Sequence, residues 1–298
     1  MIKKLKYNEV DWEKYHKCLE NSEQFLFFAE KQYLDLIINT NWQVLVYGDY
    51  KAVMPVPMVK KLGFTFVLMP MQTQQLGVFS EIDHPEINNQ FYLFLNQNYS
   101  VLYYAFNAQN TFSLPTETRK NFILEKDTYE NVRKKYSVHR RRNVRVLESF
   151  KDKIHFEEAT DIEESKVFFH ENIIGLTDKK SIEKAFNNMK TLRQAKLLKI
   201  YNLLYNNALA SQAYLLETHN EQFLINFIND KKYLKHNSTS IILDKIFQNN
   251  IEEKQFNFHG SNLSEIAEFY RRFGAKEEQY AFIKHNKKQL LTYILKKR

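Results

Sequence analysis

The stretch F-N-F-H-G-S-N-L-S-E-I-A-E-F-Y-R-R-F-G, running from Phe256 to Gly274, decides the reading of this chain. It opens on a short apolar strand, Phe256–Phe258. Asn262 stands where a helix N-cap belongs, and Glu265 three residues later completes a capping box. Leu263, Ile266, Ala267 and Tyr270 follow the i, i+3, i+4, i+7 spacing of a buried helical stripe. Gly274 stands where a left-handed residue stops the helix. The pattern is strand, capped helix and stop, with Tyr270 pointing inward near the helix end. A phenol there either fills core or donates a proton.

Working outward, the second half of the chain is legible as further strands and helices. Lys153–Phe156 reads as a strand, and the segments 161–172 and 180–196 have helical periodicity. The apolar runs 197–205 and 208–216 meet at Asn206-Asn207, a pair that tolerates positive φ and so marks a two-residue hairpin. A strand at 222–228, a helix at 240–249 and a last strand at 279–283 complete the order β-α-α-β-β-β-α-β-α-β. The first half repeats its opening: a strand near 3–7, helices near 11–19 and 29–38, and a hairpin of 43–47 and 51–58 turning at Gly48-Asp49. Strands at 64–68 and 101–106 and a helix near 86–96 follow, and 121–125 closes that half. The recurrence predicts duplication at the level of fold. Helices over 129–136 and 138–150 link the halves.

Bulk composition bounds the function. The 298 residues suit two domains. Cys18, the only cysteine, excludes a disulfide framework and a cysteine-based metal site, which fits a cytoplasmic location. No apolar run is long enough to span a bilayer, and residues 1–6 lack a signal-peptide core. The six glycines exclude a Walker-A loop and a dinucleotide G-x-G-x-x-G. No G-x-S-x-G elbow or i, i+4 histidine pair is present, so neither a serine hydrolase nor a metal site is expected. The net charge is +8, concentrated between Arg133 and Arg145, where seven basic residues occur without an acidic one. Such a block is either a solvated helix face or a contact for an anion.

The run Ala267–Gly274 resembles the alanine, Phe-Tyr, glycine helix of the GNAT acyltransferases. Ser137–Arg145 resembles the S-x-x-x-R-R-N-I-R run of tandem-GNAT proteins, among them the Fem-type aminoacyltransferases. The segment around Met54–Ser80 resembles the N-terminal domain of uncharacterised relatives. The resemblance implies an α/β fold with α+β mixed sheets, organised as two tandem GNAT-like (acyl-CoA N-acyltransferase) domains. These are 1–127 and 151–298, joined by a helical connector at 128–150. It implies transfer of an acyl or aminoacyl group from a CoA thioester or an aminoacyl-tRNA to an amine on a small molecule or peptide. Tyr270 is then the general acid that protonates the leaving group.

The donor loop departs from the family. CoA-binding members hold pyrophosphate on a glycine-rich turn at a helix N-terminus. Here residues 229–240 contain no glycine. They offer Lys231, Lys232, Asn237, Ser238, Thr239 and Ser240, which either face donor phosphates or simply cap a helix after a solvated loop. Arg140, Arg141 and Arg142 are candidate contacts for a longer anion such as tRNA. His259 is the candidate base; the strand at 222–228 offers Asn226 where a carboxylate would serve, and Glu217 and His219 are weaker choices. Transfer without a protein base also fits. Gln74 and Gln75, in an amide-rich connection, either line a substrate pocket or satisfy irregular backbone. The missing glycines and base also fit a second reading, a non-catalytic ligand- or partner-binding protein on a degenerate tandem GNAT fold.

Overall fold

The computed structural model describes residues 1–149 and 151–296, so Phe150, the expected end of the second linking helix, lies outside the described residues. The chain forms two compact units, 1–120 with 279–298, and 121–278.

The first unit runs β1 (Ile2–Lys6), α1 (Trp12–Glu20), α2 (Lys31–Ile38), β2 (Trp42–Tyr47), β3 (Ala52–Lys61), β4 (Phe64–Leu68), β5 (Phe79–Ser80), α3 (Pro85–Asn98), β6 (Val101–Ala105) and the start of β7 (Glu117–Leu124). Its strands order as β1-β2-β3-β4-β6, with β4 and β6 parallel and the other pairs antiparallel. β3 tolerates Pro55 and Pro57 because its ladder with β4 begins only at Met58. The proline positions therefore face no partner that needs their N–H. Trp42, Tyr15, Tyr33 and Phe28 fill the core beneath α1 and α2.

The second unit continues with α4 (Tyr129–Lys135), α5 (Val138–Ser149), β8 (Ile154–Glu158), α6 (Lys166–Asn172), α7 (Lys179–Gln194), β9 (Leu198–Tyr205), β10 (Ala208–Glu217), β11 (Glu221–Asn229), α8 (Ser238–Asn250), β12 (Gln255–Asn257), α9 (Ser264–Arg271) and the start of β13 (Lys276–Ile283). α10 (Lys287–Lys296) returns to the first unit. The sheet order is β7-β12-β11-β10-β9-β8, with β11 and β12 parallel. Asn206 and Asn207 take φ of 49° and 62°, the two positive values that a two-residue hairpin turn needs, and Tyr205 pairs with Ala208. The segment 128–150, expected as a connector, lies within this unit's range, and α5 packs on α8.

The two closing strands differ from expectation. Ile123 and Leu124 pair with Asn257 and Phe256 of β12, so the strand expected to close the first half belongs to the second unit. Phe282 and Ile283 pair with Ala105 and Tyr104 of β6, so the strand expected to close the second half belongs to the first. Periodicity marks a strand but carries no information on its partner.

The Phe256–Gly274 stretch forms its strand, helix and stop, with a corrected start. α9 begins at Ser264 with Leu263 as N-cap, and neither Asn262 nor a capping box starts it. Ser261 Oγ accepts from Leu263 N at 3.1 Å and tightens the entry turn instead. Leu263 therefore precedes the helix and is 66% exposed, and Ile266 is 38% exposed; the buried stripe narrows to Ala267, Tyr270 and Phe273. Gly274 has φ +82°, and a Cβ there would sit 2.5 Å from the Cβ of Lys135.

Candidate active site

The donor loop reaches α8 without glycine. Residues Lys231–His236 form a short 3-10 turn, and Asn237 then adopts φ 60°, ψ 26° and turns the chain into the helix. Asparagine is among the residues that tolerate this left-handed conformation, so it supplies the turn that the absent glycine would have made. Lys231 and Lys232 are exposed. Thr239 donates to Asn229 Oδ1 at 3.1 Å, which ties its hydroxyl to the end of β11. Ser238 is buried, and its Oγ has no hydrogen-bond partner among the described residues.

Arg140 meets this helix start from α5. It is 1% exposed, so the expected role as a surface contact for a long anion is corrected. Its guanidinium lies 4.0 Å from the ring centres of both Phe269 and Phe273. Nη1 donates to Ser240 Oγ, Nη2 donates to the Phe269 carbonyl at 3.0 Å, and Nε has no partner among the described residues. Burial lowers its pKa to about 10, which leaves it charged at neutral pH. A buried cation at a helix N-terminus is opposed by the helix dipole unless an anion joins it. Asp244, one turn further along α8, raises the Arg140 pKa and supplies part of that compensation, while Ser238 Oγ stays unengaged among the described residues.

The same arginine links α8 to the helix that carries Tyr270. Tyr270 packs on Phe258 at 4.4 Å between ring centres and on Phe122 at 5.7 Å. Its hydroxyl has no hydrogen-bond partner among the described residues. Burial raises its pKa to about 12, so it stays protonated at neutral pH. A phenol in that state is able to donate a proton and unable to act as a base.

The other expected residues lie elsewhere. His259 follows β12 with φ 60° and a ring contact to Phe223. Although part of its surface stays accessible, burial of the ring lowers its pKa to about 3, and so weak a base draws a proton poorly. Gln74 and Gln75 belong to the first unit. Gln75 Oε1 accepts from Ala108 N at 2.7 Å and its Nε2 donates to Gln74 at 3.0 Å, so Gln75 satisfies irregular backbone. Arg142 is exposed, while Arg141 joins Arg133, Lys134, Arg145, Tyr129 and Glu130 around a cavity of about 430 Å³. The basic run thus splits. Arg140 turns inward, and the cavity gathers Arg133, Lys134, Arg141 and Arg145.

Sequence reasoning missed the inward role of Arg140 and the anchoring of α8 by Asp244. Asp244 is buried and accepts from Tyr129 and Tyr136 hydroxyls, both at 2.9 Å. The i, i+7 spacing of the two tyrosines was the available signal; their shared acceptor more than a hundred residues away was not readable.

No protein-family model and no curated protein matches the sequence. Solved structures do. The chain is similar to FemX, with a TM-score of 0.61 at 9% identity over 99% of this chain and 100% of that one. It is similar to a tandem GNAT protein from the clavulanic acid biosynthesis pathway, with a TM-score of 0.53 at 9% identity over 95% and 97% of the two chains. It is also similar to L-PGS from Bacillus licheniformis, with a TM-score of 0.50 at 12% identity over 95% and 94%. Among the described residues no helix is long and apolar enough to cross a membrane. At these identities the likeness is one of architecture: the chain has the tandem GNAT-like fold.

Proposed function

We propose that this protein transfers an acyl or aminoacyl group to an amine on a small molecule or peptide. The donor is an anion, acyl-CoA or aminoacyl-tRNA, bound at the start of α8. The observation that carries the reading is Tyr270, a protonated phenol with an unengaged hydroxyl on the helix that Arg140 ties to α8. In the transfer, the amine attacks the acyl carbon as the C–S or C–O bond to the donor breaks, Tyr270 gives its proton to the departing thiolate or ribose oxygen, and the proton shed by the attacking nitrogen passes to water and restores the Tyr270 phenol. Ser238, Ser240 and Arg140 hold the nearest donor phosphate, with Lys231 and Lys232 at the rim. The cavity lined by Arg133, Lys134, Arg141 and Arg145 extends the anionic track for a tRNA donor.

The test is a transfer assay with a panel of acyl-CoAs and aminoacyl-tRNAs and a primary amine acceptor, read by mass spectrometry. Tyr270→Phe is expected to lower kcat by roughly a hundredfold or more without lowering the melting temperature. Equal rates in the variant remove the acid role. The second reading, a binding protein that has lost catalysis, draws support from the glycine-free loop and the weakly basic His259. Donor binding by calorimetry with no product from any donor would select it.

A further inference from the structure

On one face of the second unit's sheet two carboxylates, Glu221 and Glu278, have no ion-pair partner among the described residues; Lys276, which alternates to the Glu278 side of β13, is paired with Glu125. Phe256 and Phe258 point into the core, so Gln255 and Asn257 take the opposite face by strand alternation. Register extends that face: Glu221 pairs with Gln255, Phe223 with Asn257, and Asn257 with Ile123, which puts Asn121 on the same side. Glu221 accepts from Gln255 Nε2 at 3.0 Å and from Asn257 Nδ2 at 3.3 Å. Glu278 accepts from Asn121 Nδ2 at 2.7 Å. Both carboxyls are half-buried, and neither has an ion-pair partner among the described residues, in a chain of net charge +8. Burial raises both pKa values, and the charge of Glu278 adds to the rise at Glu221.

Asn121 supplies the independent observation. It is 0% exposed, and its Oδ1 has no hydrogen-bond partner among the described residues. A buried amide oxygen left without a donor is costly unless a ligand supplies one. The groups left open here are all acceptors. A primary ammonium brings three N–H donors and one positive charge, which answers two carboxylates and an amide oxygen together. Among the described residues no group of three or more acidic, histidine or cysteine side chains is placed to hold a metal ion.

We propose that Glu221, Glu278 and Asn121 form a binding site for a primary alkylammonium group, as carried by a diamine or a lysine side chain. This deepens the transfer reading, and rests on it, only in naming the acceptor; binding itself requires no donor. The ladder of β11 with β12 ends at Phe223, while β11 runs on to Asn229. Among the described residues β11 and β12 are therefore not paired with each other beyond that point, while β11 stays paired with β10. We assign the pair to binding and give it no proton transfer.

The test is isothermal titration calorimetry of the full chain with cadaverine at low salt, without any acyl donor. Saturable binding is expected, weakened at least about tenfold in Glu221→Gln and in Glu278→Gln. Pentamethonium, the bis-trimethylammonium analogue of cadaverine with the same two charges and no N–H, is expected to bind at least about tenfold more weakly to the unsubstituted chain, a readout that needs no variant. Absence of saturable binding, equal affinity for the two cations, or folded glutamine variants with unchanged affinity would each overturn the site. Cadaverine binding in a chain that transfers nothing upholds the site and sinks the transfer reading. Amine acylation with no cadaverine binding does the reverse.

Discussion

Tyr270 and His259 lie in the same short stretch of sequence, yet the structure gives them opposite prospects. Both are perturbed by burial: the phenol is pushed up to about 12 and the imidazole down to about 3. For Tyr270 the shift secures the acid form; for His259 it removes base strength. The histidine shift has a consequence for stability. The unfolded chain binds a proton on this residue below about pH 6.5, and the folded chain only near pH 3. Its contribution is present above pH 6.5 and is lost as pH falls through that window, at up to about 1.4 kcal/mol per pH unit. His259→Asn, which tolerates the left-handed backbone, should flatten the acid limb of a urea-midpoint-versus-pH curve; an unchanged limb would show that other groups set it. Gly274 is constrained by sterics rather than by charge. Gly274→Ala meets both a positive φ and the Cβ of Lys135, and is expected to cost about 2 kcal/mol in urea unfolding.

At the scale of elements, α8 is the hub of the second unit. Its first turn receives Arg140 from α5, and its middle receives Tyr129 and Tyr136, from α4 and the residue just after it, through Asp244. Burial raises the Asp244 pKa against the hydrogen bonds that oppose it. Asp244→Leu keeps the branched heavy-atom shape in a larger side chain and leaves two phenols without an acceptor, so a loss of about 2 kcal/mol or more is expected by urea unfolding. Tyr136→Phe should cost less in that background than in the parent chain, because the partner is already gone. Additive losses would show that the hydroxyls do not share the carboxylate. The helices α4 and α5 were readable from periodicity. Which of their basic and aromatic residues turn inward was not, since Arg140, Arg141 and Arg142 are alike in sequence and only packing against Phe269 and Phe273 selects the first.

At the scale of the whole molecule, the exchanged closing strands make the last residues of the chain part of its first unit. A chain ending at Glu278 should lose amide protection at Tyr104–Phe106, where Phe282, Ile283 and the Ala281 carbonyl pair. The hairpin of β9 and β10 should keep its protection, and equal loss across both units would show that they unfold as one. Local chemistry was enough to read the elements. Apolar periodicity, the Asn206-Asn207 turn and the Gly274 stop each depend on residues a few positions apart, and the duplicated order led directly to the tandem fold. Tyr270 was legible for the same reason, as one position in a short helical pattern. Only the tertiary structure decided that Arg140 is buried, that α9 starts at Ser264, which unit each closing strand joins, and that Glu221, Glu278 and Asn121 share a face. Each of those depends on partners far along the chain, and a sequence records spacing along the backbone while burial, pairing and pKa are set by what folding brings alongside.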